Sequence, residues 1–215
     1  MARLDAPPGR GGRRGRRDPS SRPLRKRFLI VCEGEVTEKL YFEAFPVASD
    51  VRVTVMGDGR NTTSLVDAAR RHTDNGDYDE VWVVYDHDDF GAERFNAAEA
   101  EIQCANEDRA EKWHAAWSNP AFELWYLLHF IYVDGQLHRH VVQKKLHEHL
   151  ATSGGYRKNR PDLYQLLFKH QPAAIARAEK LAQEHLITPH GSTPADANPC
   201  TTVHRLVAAL NAEIP

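Results

Sequence analysis

Phe28-Leu29-Ile30-Val31-Cys32 runs straight into Glu33-Gly34-Glu35-Val36-Thr37-Glu38, and Val81-Trp82-Val83-Val84-Tyr85 runs into Asp86-His87-Asp88-Asp89. Each apolar run is short and rich in β-branched and aromatic residues, the signature of a strand buried on both faces of a parallel sheet. Ligand and catalytic groups in such sheets gather beyond the carboxyl ends of the strands. Acids leaving two of these strands therefore converge on one sheet edge. Asp86 and Asp88 stand two apart, so continued strand geometry points both to the same side. Crowded carboxylates repel one another and shift their pKa values upward unless a cation sits among them. Hard oxygen ligands without His or Cys suit Mg²⁺ or Mn²⁺. Either motif alone reads as a solvated loop start; the pair, in this setting, reads as a metal site.

Outward from these runs, strands and helices alternate. The pattern predicts a helix over 36–45, a strand over 52–56, a helix over 61–71, a helix over 92–106 and a fourth strand over 113–117. Such alternation argues for a parallel sheet covered by helices. Ser118-Asn119-Pro120 reads as a helix start, with Asn at the N-cap and Pro at the first helical position. Glu123 is an acid inside the apolar turn that follows, either facing the helix N-terminus or belonging to the site. Beyond Tyr132 the strand pattern stops, and helices are expected over 141–150, 162–170, 173–186 and 199–210. Asn198-Pro199 repeats the cap-plus-proline start, and Val203, Leu206, Val207 and Leu210 form a helical core stripe.

Four segments resemble the RloB family, a TOPRIM-related group of bacterial defence and restriction-linked loci. They are F-L-I-V-C-E-G-E-V-T-E-K-L-Y-F from Phe28, Y-D-E-V-W-V-V-Y-D-H-D-D-F ending at Phe90, S-N-P-A-F-E-L-W-Y-L-L-H-F from Ser118, and N-P-C-T-T-V-H-R-L-V from Asn198. E-G after one strand and D-x-D after another also resemble the TOPRIM domain of topoisomerases, primases and OLD-type nucleases. The resemblance implies a TOPRIM-like (Rossmann-like) α/β sheet flanked by helices over 28–132, with a helical C-terminal extension over 133–215. It also implies that Glu33, Asp86 and Asp88 are the metal and catalytic carboxylates and that Glu38 is the additional acid of OLD-type sites. Asp89 and Glu123 are further candidates, and the resemblance singles out Lys158.

Charge is distributed unevenly. Residues 1–27 hold ten Lys or Arg and two Asp, a net of +8, which leaves −10 on the remainder. This arm lacks the apolar residues for a core and is expected to be disordered. Arg13, Arg14, Arg16 and Arg17 lie in an RGG-like run that can attract phosphate backbones; a poorly constrained leader is the other reading. Gly154 to Arg160 is a basic loop with an aromatic, in which Arg157, Lys158 and Arg160 could meet phosphates or a leaving group, or simply be exposed. Gly57-Asp58-Gly59-Arg60-Asn61-Thr62 lies where a phosphate cradle would form, without the P-loop pattern. His138, His140, His147 and His149 read as solvated rather than as a zinc set.

There is no apolar stretch of about 18 residues or more, no signal-peptide core, and no disulfide or metal spacing among Cys32, Cys104 and Cys200. A reduced cytoplasm is the expected compartment, with no membrane partner. The expected activity is Mg²⁺- or Mn²⁺-dependent phosphodiester hydrolysis of DNA or RNA in antiphage defence. Asp86 and Asp88 bind metal in this reading, Glu33 acts as ligand or general base, and Glu38 supports a second ion. The other reading is a non-catalytic nucleic-acid-binding or regulatory module. The chain has no motor motif, so an AAA- or ABC-type ATPase encoded nearby is an expected partner.

Overall fold

β1, Lys26–Cys32, buries every residue from Phe28 onward, because it has a parallel neighbour on each side. Phe28–Cys32 pairs with Val53–Gly57 of β2, Val51–Gly57, and with Glu80–Val84 of β3, Glu80–Asp86. Helices on both faces of such a sheet leave no side for polar residues to alternate onto. β4, Lys112–Asn119, adds to β3 in parallel, and the sheet order is β2-β1-β3-β4-β5. The structure, a computed structural model, describes residues 25–59, 62–87, 91–186 and 193–215.

The helices are α1 (Thr37–Glu43), α2 (Thr62–Asp74), α3 (Ala92–Asp108), α4 (Glu123–Leu127), α5 (Arg139–His149), α6 (Leu163–Leu167), α7 (Gln171–Leu186) and α8 (Val203–Asn211). The expected stripe on α8 is core, with Val203, Leu206, Val207 and Leu210 fully buried. One apolar cluster runs from the sheet into the C-terminal helices. Within it the Tyr41 hydroxyl on α1 accepts from Trp125 Nε1 on α4 at 3.0 Å and from Gln171 Nε2 on α7 at 3.3 Å. A buried hydroxyl left unmatched costs about 1–3 kcal/mol, so this pairing favours one packing of the three helices.

Three expectations need correction. Strand structure does not stop at Tyr132: β5, Cys200–Thr201, pairs antiparallel with Ser118 and Asn119 of β4. Two residues are too few to show a period of two. Neither Asn-Pro step caps a helix. Both peptide bonds are cis, and each asparagine is spent on a distant loop instead. Asn119 Nδ2 donates to the carbonyls of Pro194 and Ala195 at 3.2 and 3.0 Å, and Asn198 accepts from Leu137 N and donates to Leu137 O at 2.9 and 3.0 Å. α4 begins at Glu123 and α8 at Val203, both later than the cap pattern suggests. Finally, the expected arm extends too far. Lys26 and Arg27 already belong to β1, and Lys26 Nζ bridges Glu80 at 2.8 Å and Glu213 at 3.3 Å.

Candidate functional site

The β1 ladder continues one residue past the strand, with Glu33 N donating to Val84 O at 2.9 Å. Glu33 is thereby held across the crevice between β1 and β3, where its Oε2 accepts from the Asp86 backbone N–H at 3.1 Å. The next residue is glycine, and a Cβ there would meet the carboxyl end of Glu38, so the E-G motif leaves room for the first-turn acid of α1 in its observed position. Glu38 Oε2 is buried and has no hydrogen-bond partner among the described residues.

Asp86 ends β3 beside these acids. Burial pushes its carboxyl well above the ordinary range, and the nearby charges of Glu38, Glu123 and Glu33 push in the same direction; the Phe122 backbone opposes them. Glu38 is raised first by burial and then by Glu123, while its own backbone N–H, Lys158 and Arg139 pull it down. Arg139 Nη2 on α5 lies 3.9 Å from Asp86 Oδ2. Four carboxylates and two cations from distant parts of the chain therefore share one sheet edge, and the repulsion among the acids is only partly offset.

Glu123 faces across the site rather than along its own helix. Its Oε1 accepts from Gln143 Nε2 of α5 at 2.8 Å and from the Tyr156 hydroxyl at 2.9 Å. Tyr156 lies in the basic loop, which is tied to α1: Thr37 Oγ1 donates to Asn159 Oδ1 at 2.8 Å and accepts from Asn159 N at 3.3 Å. Asn159 takes a positive φ of 66° there, which Asn tolerates better than most residues. This docking sets Lys158 beside Glu38. Arg160 is committed internally, to Asp162 at 2.6 and 2.8 Å and to Gly155 O at 2.7 Å, whereas Arg157 stays exposed. Tyr156→Phe removes one of two neutral donors to the buried Glu123 carboxylate. It is expected to cost about 1–3 kcal/mol, read as a lower urea midpoint at unchanged slope; an unchanged midpoint would show that the bond contributes nothing.

Asp88, Asp89, Arg13, Arg14, Arg16 and Arg17 lie outside the described residues. The suggested phosphate cradle after β2 is not formed by its first glycines. Asp58 N and Gly59 N donate to Cys32 O and Glu33 O at 3.0 and 3.1 Å, and the Glu35 backbone packs against Gly57. Of the four histidines, His147 Nδ1 pairs with Tyr156 O at 3.1 Å and the His149 ring stacks on Phe130. Arg139 and Gln143 were not legible as site residues in the sequence, since a basic and a polar residue on an amphipathic helix carry no mark of what they face.

The donor chemistry fits a hard divalent cation: oxygen ligands only, one of them buried and unmatched, in a cluster whose repulsion a cation relieves. Among the described residues, however, no group of three His, Cys, Asp or Glu side chains forms a ready ion site. Beside the acids opens a pocket of about 600 Å³, and Arg139 and Gln143 belong to both. No helix among the described residues is long and apolar enough to cross a membrane. In comparison with known proteins, a family model described as RloB-like protein matches residues 28–210. No curated protein and no solved structure matches.

Proposed function

The chain belongs to the RloB-like family, and we propose that it hydrolyses phosphodiester bonds of DNA or RNA with Mg²⁺ or Mn²⁺ at a TOPRIM-like site, in antiphage defence. The observation that carries this reading is the convergence of Glu33, Glu38, Asp86 and Glu123 with Lys158 and Arg139 beyond the ends of β1 and β3. Acids alone at a sheet edge would repel a phosphate; acids interleaved with cations can bind one and act on it.

In this reading Asp86 and Glu38, with Asp88, hold the cation. When bound, it supplies Lewis-acid charge to the phosphoryl oxygens. Glu33 takes the proton of the attacking water, whose oxygen forms the new bond to phosphorus. The bond from phosphorus to the leaving oxygen breaks, and Lys158 supplies charge and a proton to that oxygen. Arg139 steadies the phosphate, and the Tyr156 and Gln143 bonds fix the orientation of Glu123 beside Asp86 and Glu38.

The test is incubation of purified protein with DNA, total RNA and tRNA, in Mg²⁺, Mn²⁺ or EDTA. Cleavage that EDTA abolishes is the expected result. The second reading, a binding or regulatory module beside an ATPase, draws support from the lack of a ready three-ligand ion site among the described residues. Binding without cleavage in every metal would favour it.

Under either reading the basic arm contributes to nucleic-acid affinity. Deleting residues 1–24, which spares β1, should leave the melting temperature unchanged and flatten the plot of log affinity against log salt by several units, at about 0.9 for each phosphate that the arm neutralises. An unchanged slope would assign the arm no binding role.

A further inference from the structure

We propose that the pocket beside the acidic site seats one nucleotide unit, its phosphate toward Arg139 and its base against the paired rings of His138 and His140. The reason for a nucleotide there rests on the hydrolase reading; the pocket's chemistry stands on its own.

The size is right. At about 600 Å³ the pocket falls in the range of about 300–1,000 Å³ typical of small-ligand sites. Its composition is unusual for this molecule. Residues 28–215 carry a net charge of −10, yet among the described residues lining the pocket none is acidic, and His87, His138, Arg139 and His140 are all there. Arg139 with the ring nitrogens of three histidines gives this concavity, among its described lining residues, one fixed positive charge and several potential donors, a set that suits an anion. Its position narrows the choice further, because Arg139 also lies 3.9 Å from Asp86. An anion held by Arg139 is thus brought next to the carboxylates.

The rest of the pocket suits a planar group. The His138 and His140 rings are nearly parallel, 11° apart with centroids separated by 5.8 Å, and both residues are exposed. Their spacing is too close to admit a base between them, so they offer an outer face, and stacking of this kind accepts any base. His87 Nε2 is buried without a hydrogen-bond partner among the described residues, although its ring is fixed edge-on to Phe95 at 5.0 Å and its backbone N donates to Ser118 O at 2.8 Å. The wall is preformed, since Asn198 holds Leu137 by both backbone groups.

The experiment is calorimetric titration of the full chain in EDTA with AMP, dAMP, adenosine and inorganic phosphate. AMP or dAMP should bind saturably, more tightly than adenosine or phosphate. The His138→Ala/His140→Ala double variant should bind about tenfold more weakly, as loss of a stacking face predicts. Arg139→Ala should lose a similar factor through the phosphate, so that it binds AMP no better than adenosine. Unchanged melting temperatures would show that the surface changes leave the fold intact. Failure of both nucleotides to bind at millimolar concentration, or equal affinity in the variants, overturns the proposal. The same proteins in the cleavage assay separate the two readings. Saturable, variant-sensitive AMP binding by a protein that cleaves nothing leaves the pocket standing without the hydrolase. Metal-dependent cleavage with unchanged KM in the double variant, and no AMP binding, leaves the hydrolase without the pocket.

Discussion

Asp86→Ala should yield a folded protein whose metal-dependent cleavage of nucleic acid is reduced by about 10³-fold or more. Asp86 sits at the end of β3, where Glu33 accepts from its backbone and Arg139 stands 3.9 Å from its carboxylate. Removing a ligand that fixes charge at the phosphoryl group costs several kcal/mol of transition-state stabilisation, and each decade of rate corresponds to about 1.4 kcal/mol. The fold should survive, because truncation removes a strained acid at a strand end rather than an apolar anchor. Asp88→Ala is expected to behave alike on the strength of its D-x-D spacing. Glu38→Gln, which keeps the shape over Gly34, should also lose activity. Cleavage at the wild-type rate by purified Asp86→Ala, with contaminating nuclease excluded, would sink the assignment.

The second large effect is on stability, and it reverses with metal. Glu38 and Asp86 both titrate above their ordinary values of 4.5 and 3.8. The native state therefore keeps those protons to higher pH than the unfolded chain does, and stability from these groups must fall as pH rises. Their contribution is fully present below about pH 4, near the unfolded carboxyl values, and is lost as pH climbs through the raised native values. Other acids, such as Asp79 and Asp162, are lowered by Arg27 and Arg160 and act in the opposite sense. The comparison of wild type with Asp86→Asn isolates the site. In EDTA the variant should lose less stability between pH 5 and pH 8, and at pH 8 it should melt at or above wild type. Metal at ten times Kd should add about 1.4 kcal/mol to the wild type, a shift of about 3–6 °C at about 2–4 °C per kcal/mol for a chain of this size. Asp86→Asn should lose most of that shift. Paired melts with Mg²⁺ or Mn²⁺ and with EDTA decide the matter: no metal response in wild type, or the same response in the variant, means that these acids do not share a cation.

Burial explains why the two effects belong together. Cys32, at the end of β1, is fully buried and its thiol is raised well above the ordinary value by burial and then by the charges of Glu38, Glu43 and Asp86. The strand that presents Glu33 thus ends in an inert sulfur that serves packing rather than nucleophilic chemistry.

What the sequence alone determined is the local order of the sheet. The runs ending at Cys32 and Tyr85 are strands buried on both faces, and of the acids that follow them Glu33, Glu38 and Asp86 lie near one another at one edge. A period of two or 3.6 is written in neighbouring letters, and so is the apolar stripe of α8. Tertiary structure decided everything that rests on pairing between remote residues. Asn119 and Asn198 look like helix caps because cap and loop-bridging asparagines share the same neighbours; only their partners at 194, 195 and 137 tell them apart. β5 is too short to carry a pattern and exists because β4 offers it an edge. Arg160 reads as a phosphate ligand until Asp162 claims it, and Arg139 reads as an ordinary surface cation until α5 packs beside Asp86. The electrostatics of the site depend on which charges are brought together and removed from water. That is a property of the folded arrangement, with Glu38 and Glu123 set beside Asp86 and Lys158 and Arg139 set against them.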